Sequence, residues 1–102
     1  MGQLTRIASL SELPPEGEAR EFFSGQSSVC IVNTNNNFVA MRNVCPHKGA
    51  PLSEGSVEDG KLVCAWHGWE FNLADGQCIN RPGACVTLFE LAIHGNDVFL
   101  KL

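Results

Sequence analysis

Residues 45–67 read CPHKGAPLSEGSVEDGKLVCAWH, which contains a Cys-x-His pair followed, after sixteen residues, by a Cys-x2-His pair. The four residues are Cys45, His47, Cys64 and His67. Each pair offers one thiolate and one imidazole, close enough along the chain for both side chains to face one point. Thiolate and imidazole are the ligands of soft and borderline metals, so the two loops together predict a metal site.

The spacing bears on which metal this site binds. Zinc accepts two cysteines and two histidines, but structural zinc sites usually take their ligands from C-x2-4-C and H-x3-5-H pairs. A two-iron cluster with two cysteines on one iron and two histidines on the other uses the same four residues, and each loop would then supply one ligand to each iron. The alternative is a zinc domain, in which the metal serves only to stabilise the fold.

The longer stretch CPHKGAPLSEGSVEDGKLVCAWHGWEFNLADGQC, residues 45–78, closely resembles the Rieske proteins. The resemblance in the cluster-binding region extends over about residues 45–85. It implies one [2Fe–2S] cluster per chain, bound by the two cysteines and two histidines named above. It also implies a third loop at Pro82 and Gly83 that covers the cluster, although an ordinary turn would use the same two residues.

The resemblance also distinguishes between branches of the family. In Rieske proteins of respiratory complexes each cluster loop carries an additional cysteine, and the two form a disulfide; those positions here are Ala50 and Trp66. A Ser and a Tyr that donate to the cluster and a ligand sulfur in those proteins correspond to Trp69 and Phe71. Fewer donors stabilise the reduced cluster less, so we expect a low reduction potential. The sequence is thus similar to soluble Rieske ferredoxins of aromatic-ring-hydroxylating dioxygenases and to Rieske domains of oxygenases.

The remainder of the chain predicts an all-β protein. Its apolar segments are short and are separated by Gly, Pro, Asn and Asp, with hairpin turns at residues 33–37, 74–77 and 94–97. A single helical turn at residues 9–13 would end at Pro14. With the resemblance, we expect one Rieske domain over residues 1–102, a Rieske-like fold of stacked antiparallel sheets with two cluster-binding loops, 44–53 and 64–69. The predicted strands are 5–8, 20–23, 28–32, 38–42, 61–64, 70–72, 86–92 and 97–102.

The number of histidines limits how many metal sites the chain can form. A Rieske oxygenase also needs a mononuclear iron held by two histidines and a carboxylate. The chain has three histidines, so only His94, predicted to lie in an exposed turn, remains after the cluster. We therefore expect that the chain is not an enzyme. We expect it to carry single electrons from a ferredoxin reductase to a terminal oxygenase or similar acceptor. The alternative is a Rieske-like small subunit of a larger reductase, such as assimilatory nitrite reductase.

Composition excludes several other partners. The formal charge is −4, from 11 acids and 7 bases, and no block of basic residues suggests a nucleic acid. No apolar stretch approaches the roughly 18 residues of a membrane span, and the first residues, MGQLTRIASLSELPPEGE, lack the basic region and apolar run expected of a secretory signal. These features favour a cytoplasmic protein, and the small size favours a monomer.

Acidic residues near the start of the chain form either a solvated loop or an acidic docking face. They are Glu12, Glu16, Glu18 and Glu21.

The last predictions concern the three remaining cysteines and the surface around the two cluster-binding loops. Five cysteines cannot form a complete disulfide framework, and Cys30, Cys78 and Cys85 lack the spacing of ligands, so they are predicted to be free, buried thiols. The alternative, a Cys78–Cys85 bridge across a hairpin, is not favoured in a reducing compartment. Trp66 and Trp69 either shield the cluster or pack in the core. The rim of the cluster end is the expected docking surface for redox partners, with four candidate residues, Pro46, Lys48, Trp66 and Pro82.

Overall fold

The computed structural model describes residues 4–46, 49–66 and 68–101. Four residues that carry predictions lie outside this part of the chain: His47, Lys48, His67 and Leu102. The described residues form nine strands and two 3₁₀ turns, Leu10–Glu12 and Leu52–Glu54. The strands are β1 (Leu4–Ser9), β2 (Ala19–Ser24), β3 (Ser27–Thr34), β4 (Asn37–Arg42), β5 (Ser56–Glu58), β6 (Lys61–Val63), β7 (Glu70–Asn72), β8 (Leu88–His94) and β9 (Asp97–Lys101).

Six strands form one antiparallel sheet in the order β1-β9-β8-β4-β3-β2. The hairpin between β3 and β4 turns at Asn35 and Asn36, whose φ angles of 53° and 65° lie in the left-handed region that asparagine tolerates. This confirms the hairpin predicted from the asparagine run. The edge strands β1 and β2 approach each other, so the sheet curls around an interior core.

A second, three-stranded antiparallel sheet has the order β5-β6-β7 and carries the second cluster loop between β6 and β7. Successive side chains along β3 point to opposite faces of the large sheet and so enter two different hydrophobic cores. Val29 and Ile31 belong to the core inside the curled sheet, whereas Cys30 and Val32 belong to a second core that includes residues of the small sheet. The predicted all-β fold of stacked antiparallel sheets is confirmed.

Several local predictions differ from the structure. The strand β5 was not predicted, because its three residues, one apolar between two polar, give too short an alternation. Strand β8 begins at Leu88, two residues later than predicted, because Val86 donates to the carbonyl of Gly76 beside the short bridge between residues 77 and 85 instead of extending the sheet. The helical turn before Pro14 is confirmed as the 3₁₀ turn Leu10–Glu12.

The three cysteines outside the predicted ligand set are free thiols, as predicted, but they are not all buried. Cys30 and Cys78 are buried, whereas Cys85 is exposed, so that part of the prediction is wrong. The reason is alternation in the short bridge between Gln77 and Cys85, where the flanking Val86 turns inward. His94 is exposed in its turn, as expected. No helix among the described residues is long and apolar enough to cross a membrane.

Candidate metal centre

The first cluster loop, residues 44–53, is closed immediately around Cys45. The N–H of Cys45 donates to the carbonyl of Ala50 (2.8 Å), and the N–H of Gly49 donates back to the carbonyl of Cys45 (2.9 Å). Gly49 has a φ of 75°, which glycine adopts without the steric cost of a side chain. Cys45 and Ala50 are each 1% exposed. The loop thus holds one predicted ligand in a tight turn whose ends are buried.

The second cluster loop, residues 64–69, repeats this arrangement around Cys64. The N–H of Cys64 donates to the carbonyl five residues later, that of Trp69 (2.8 Å), and Gly68, four residues after the cysteine, has a φ of 67°. The N–H of Trp66 donates to the thiol sulfur of Cys64. Backbone donors of this kind stabilise the negative charge of a cysteine ligand. The two loops therefore share one hydrogen-bonding pattern, with cysteine at the same position in each.

The two cysteine side chains face each other across the loops. Cys64 is 2% exposed, and its thiol lies within hydrogen-bonding distance of the thiol of Cys45. Burial raises the pKa of the Cys64 thiol; the N–H of Trp66 opposes this, and the adjacent Cys45 adds to it. Two buried thiols held side by side, with no disulfide between them, fit the two-cysteine half of a [2Fe–2S] ligand set, because bound iron would compensate their thiolate charge.

Asn43 fixes the first loop to the large sheet. Its side chain is 3% exposed, and its Nδ2 donates to Glu21 Oε2 (3.1 Å), Ser28 Oγ (3.0 Å) and Ser53 Oγ (3.0 Å). Its Oδ1 accepts the N–H of Ser53 (2.7 Å), at the far end of the same loop. One buried amide therefore joins both ends of the loop that carries Cys45. The sequence does not reveal this role, since nothing in the pattern distinguishes Asn43 from a turn asparagine.

Asn80 plays a corresponding part for the second loop. Its Nδ2 donates to the carbonyl of Gly68 (3.1 Å), and its Oδ1 accepts the N–H of Glu70 (3.1 Å). Asn80 precedes a turn over residues 81–84, in which Pro82 and Gly83 occupy the central positions and the N–H of Ala84 donates to the carbonyl of Arg81 (3.1 Å). The third loop is therefore a hairpin turn joined to the second cluster loop through the asparagine before it.

The aromatic and apolar side chains of this end divide into packed and exposed groups. Trp69 is half-buried against the core that contains Cys45 and Cys64, whereas Trp66 is 50% exposed. Pro46 and Pro82 are also exposed, which agrees with their predicted place on a rim. The positions that lack a cysteine or tyrosine, Ala50 and Phe71, are buried in the same core and bring no thiol or hydroxyl to it.

The structure brings two of the four predicted ligands together, Cys45 and Cys64. The other two, His47 and His67, lie outside the described residues, as does the predicted rim residue Lys48. Asn43 and Asn80, which were not predicted as site residues, fix the two loops from outside. The thiol pair, the closed loops and the donor to a cysteine sulfur all fit a cluster held between the loops.

Sequence comparison finds close relatives among electron-transfer components. The chain is 36% identical over 86 residues to the alkene monooxygenase system ferredoxin component of Xanthobacter autotrophicus, covering 83% of this chain and 70% of that protein. It is 35% identical over 101 residues to the biphenyl 2,3-dioxygenase ferredoxin component of Rhodococcus jostii, covering 97% and 92% of the two chains. It also matches human apoptosis-inducing factor 3 at 35% identity, but spans only 14% of that protein.

Comparison with solved structures shows the same fold. The ferredoxin of carbazole 1,9a-dioxygenase from Nocardioides aromaticivorans has a TM-score of 0.83 at 23% identity, with 96% of each chain covered. A putative NADH-dependent nitrite reductase small subunit from Mycobacterium tuberculosis has a TM-score of 0.87 at 21% identity, with 100% and 96% covered. At these identities the likeness is one of fold. The family model for the Rieske [2Fe–2S] domain matches residues 3–90, and the chain therefore belongs to the Rieske [2Fe–2S] family.

Proposed function

We propose that this chain is a Rieske-type ferredoxin that carries single electrons from a reductase to a terminal oxygenase or similar acceptor. The observation that carries the proposal is the pair of buried thiols, Cys45 and Cys64, held side by side by two loops of matching geometry. The relatives that are similar over most of their own length are ferredoxin components of oxygenase systems, which supports the same role.

In this proposal Cys45 and Cys64 bind one iron and His47 and His67 bind the other. When bound, the cluster accepts and releases one electron at a time. The chain's own residues exclude water from the thiol side of the site, because the two cysteines and Phe71 are buried together. Phe71 offers no hydroxyl donor to a sulfur of the site, so we expect a potential in the lower part of the Rieske range.

The electron would enter and leave at the rim, where Trp66, Pro46 and Pro82 are exposed beside the two loops. The partners in this proposal are two proteins, a ferredoxin reductase and a terminal oxygenase, which use the rim in turn. We propose no catalytic reaction for the chain itself, since the ligand set uses two of its three histidines. Five cysteines without a disulfide favour a reducing compartment, and we propose the cytoplasm. Use by successive partners favours a monomer.

The alternative is a small subunit of a larger reductase. The fold does not distinguish the two roles, since a carrier and a reductase subunit match the structure about equally well. The sequence relatives above 30% identity with most of their length covered favour the carrier. The two roles differ in assembly: a carrier stays monomeric and supports electron transfer from a separate reductase, whereas a subunit copurifies with its reductase.

The test is electron paramagnetic resonance of the purified protein before and after reduction by dithionite, with iron and zinc analysis of the same sample. We expect two irons per chain and a Rieske-type signal only after reduction. Cys45→Ser and Cys64→Ser should abolish it, while Cys85→Ser, a change at an exposed cysteine, should leave it intact. A colourless protein with one zinc per chain would refute the electron-transfer role.

A further inference from the structure

We propose that Arg81 is a fixed cation at the electron-transfer rim and that it selects redox partners with an acidic docking surface. This inference rests on the proposed electron-carrier function. It adds a charge requirement for the partner and assigns it to a single residue that no sequence motif indicates. Three features of the molecule support it: the way Arg81 is held, the absence of an acid bound to it among the described residues, and the charge of the rest of the chain.

Arg81 is fixed to the second cluster loop by two separate contacts. Its Nη1 donates to the carbonyl of Asn80 (2.8 Å), and the Asn80 side chain is itself bonded to the carbonyl of Gly68. Its guanidinium carbon lies 5.6 Å from the centre of the Trp69 ring, within the range of a cation–π interaction. A guanidinium held by a carbonyl and an aromatic face loses less freedom when a partner binds than a flexible surface cation does.

The charge of Arg81 is not neutralised by an acid within the described part of the chain. Ion pairs there join Arg6 to Asp97 (2.8 Å), Lys61 to Glu70 (3.1 Å) and Lys101 to Glu90 (3.5 Å). Arg81 is in none of them and is exposed to solvent. Glu70, whose N–H donates to the side chain of Asn80, the residue before Arg81, is engaged by Lys61. The positive charge of Arg81 is therefore available to a partner.

The sign of this local charge is opposite to that of the whole molecule. The chain carries a net charge of −4, which at long range would repel an acidic partner. A cation beside the cluster loops instead attracts an acidic partner at the point where electrons leave. Charges at an interface act mainly on the rate of encounter and on the choice of partner. The expected partner is a protein whose redox centre is surrounded by carboxylates, with an apolar centre to meet the exposed Trp66 and Pro82.

Small redox probes test the local charge without a protein partner. The holoprotein, reduced and then freed of dithionite, is mixed in a stopped-flow instrument with hexacyanoferrate(III), charge −3, or with tris(phenanthroline)cobalt(III), charge +3. A unit charge about 9 Å from the probe should change the rate about fivefold at roughly 0.01 M ionic strength and about two- to threefold at roughly 0.1 M. Arg81→Gln should slow the reaction with the anion and speed the reaction with the cation by these factors.

Arg6→Gln is the matched control, because it also removes one positive charge. Arg6 is bonded to Asp97 at the β8–β9 turn, and the register of Met41 with Leu88 places that turn at the end of β8 away from the cluster loops. We expect it to change either rate by less than about 1.5-fold at low ionic strength. Arg81→Lys, which keeps the charge, should stay within about twofold of the wild type.

Equal effects of Arg81→Gln and Arg6→Gln, in a wild-type protein that reacts with both probes, would overturn this inference and leave the carrier function intact. A wild-type protein without a Rieske signal and without electron exchange would overturn the carrier function and this inference with it. Identical reduced spectra of the variants and the wild type confirm that the cluster site is retained. With that established, opposite shifts for the two probes, confined to Arg81→Gln, would support the inference.

Discussion

Replacing Asn43 by alanine should destabilise the protein more than any change to an exposed polar side chain. The side chain of Asn43 is almost fully buried and makes four hydrogen bonds, three from its Nδ2 and one to its Oδ1. The Asn43→Ala variant loses all four. It also leaves the N–H of Ser53 without its acceptor and removes a donor from the carboxylate of Glu21.

The magnitude follows from these contacts. Two N–H groups shared among three oxygens amount to about two effective bonds, and the acceptor bond from Ser53 adds a third. At about 1 kcal/mol for each neutral bond and about 1.5–3 kcal/mol for the one to a carboxylate, the loss is about 3.5–5 kcal/mol. For a domain of about 100 residues, each kcal/mol lowers the thermal midpoint by about 4–8 °C. The expected decrease is therefore at least about 14 °C.

The assay is thermal unfolding of the cluster-loaded protein at a fixed scan rate, followed by circular dichroism and by the visible absorption of the cluster. Asn37→Ala, at an exposed asparagine, is the control and should change the midpoint by no more than about 2–4 °C. Asn43→Asp should be as destabilising as Asn43→Ala, because a carboxylate would face Glu21 where a donor is needed. A decrease below about 4 °C for Asn43→Ala would refute the assignment of this amide as the support of the first loop.

Two further predictions concern the scaffold. Gly76→Ala should destabilise by about 3 kcal/mol or more, because a methyl group there would overlap the carbonyl of Val86; Gly25→Ala, with a similar positive φ but open space, should cost about 1 kcal/mol. Urea unfolding compares the two, and equal losses would contradict the steric explanation. Burial, and to a lesser extent Glu21, raise the pKa of Cys30 from its ordinary value of 9.0 to about 12. The unfolded thiol thus ionises first, so stability should fall as the pH rises from about 9 towards 12, more steeply in the wild type than in Cys30→Ala. Parallel profiles of thermal midpoint against pH for the wild type and Cys30→Ala would contradict this prediction.

The strands that the sequence predicts well are those with a strong local signal. Strands β3 and β4, with the hairpin at Asn35 and Asn36 between them, follow from two apolar stretches separated by turn residues that tolerate a left-handed backbone. Strand β5 was missed because three residues carry no periodicity, and it exists through its pairing with β6. Cys85 was misassigned because whether a thiol faces the core depends on a bridge between residues 77 and 85, which forms only in the folded chain.

The candidate site likewise contains residues that the sequence predicts and residues that it does not. Metal chemistry restricts both residue type and spacing, so the sequence alone is enough to predict Cys45 and Cys64 as ligands. Asn43 and Asn80 are not, since each acts through partners distant in the sequence: Asn43 bonds to β2 and β3, and Asn80 to the loop twelve residues before it. A polar residue whose role is to join two segments has no pattern of its own in a single sequence.

These two asparagines explain how a small β-protein can hold two cysteines in a fixed arrangement. Each cluster loop is closed internally by a bond from its cysteine N–H, and each is tied externally by an asparagine side chain, Asn43 to the large sheet and Asn80 to the third loop. The spacing of Cys45 and Cys64 is therefore set by the scaffold and not by the metal alone. A ligand set held by its surroundings changes little when an electron arrives, as a carrier that meets successive partners requires.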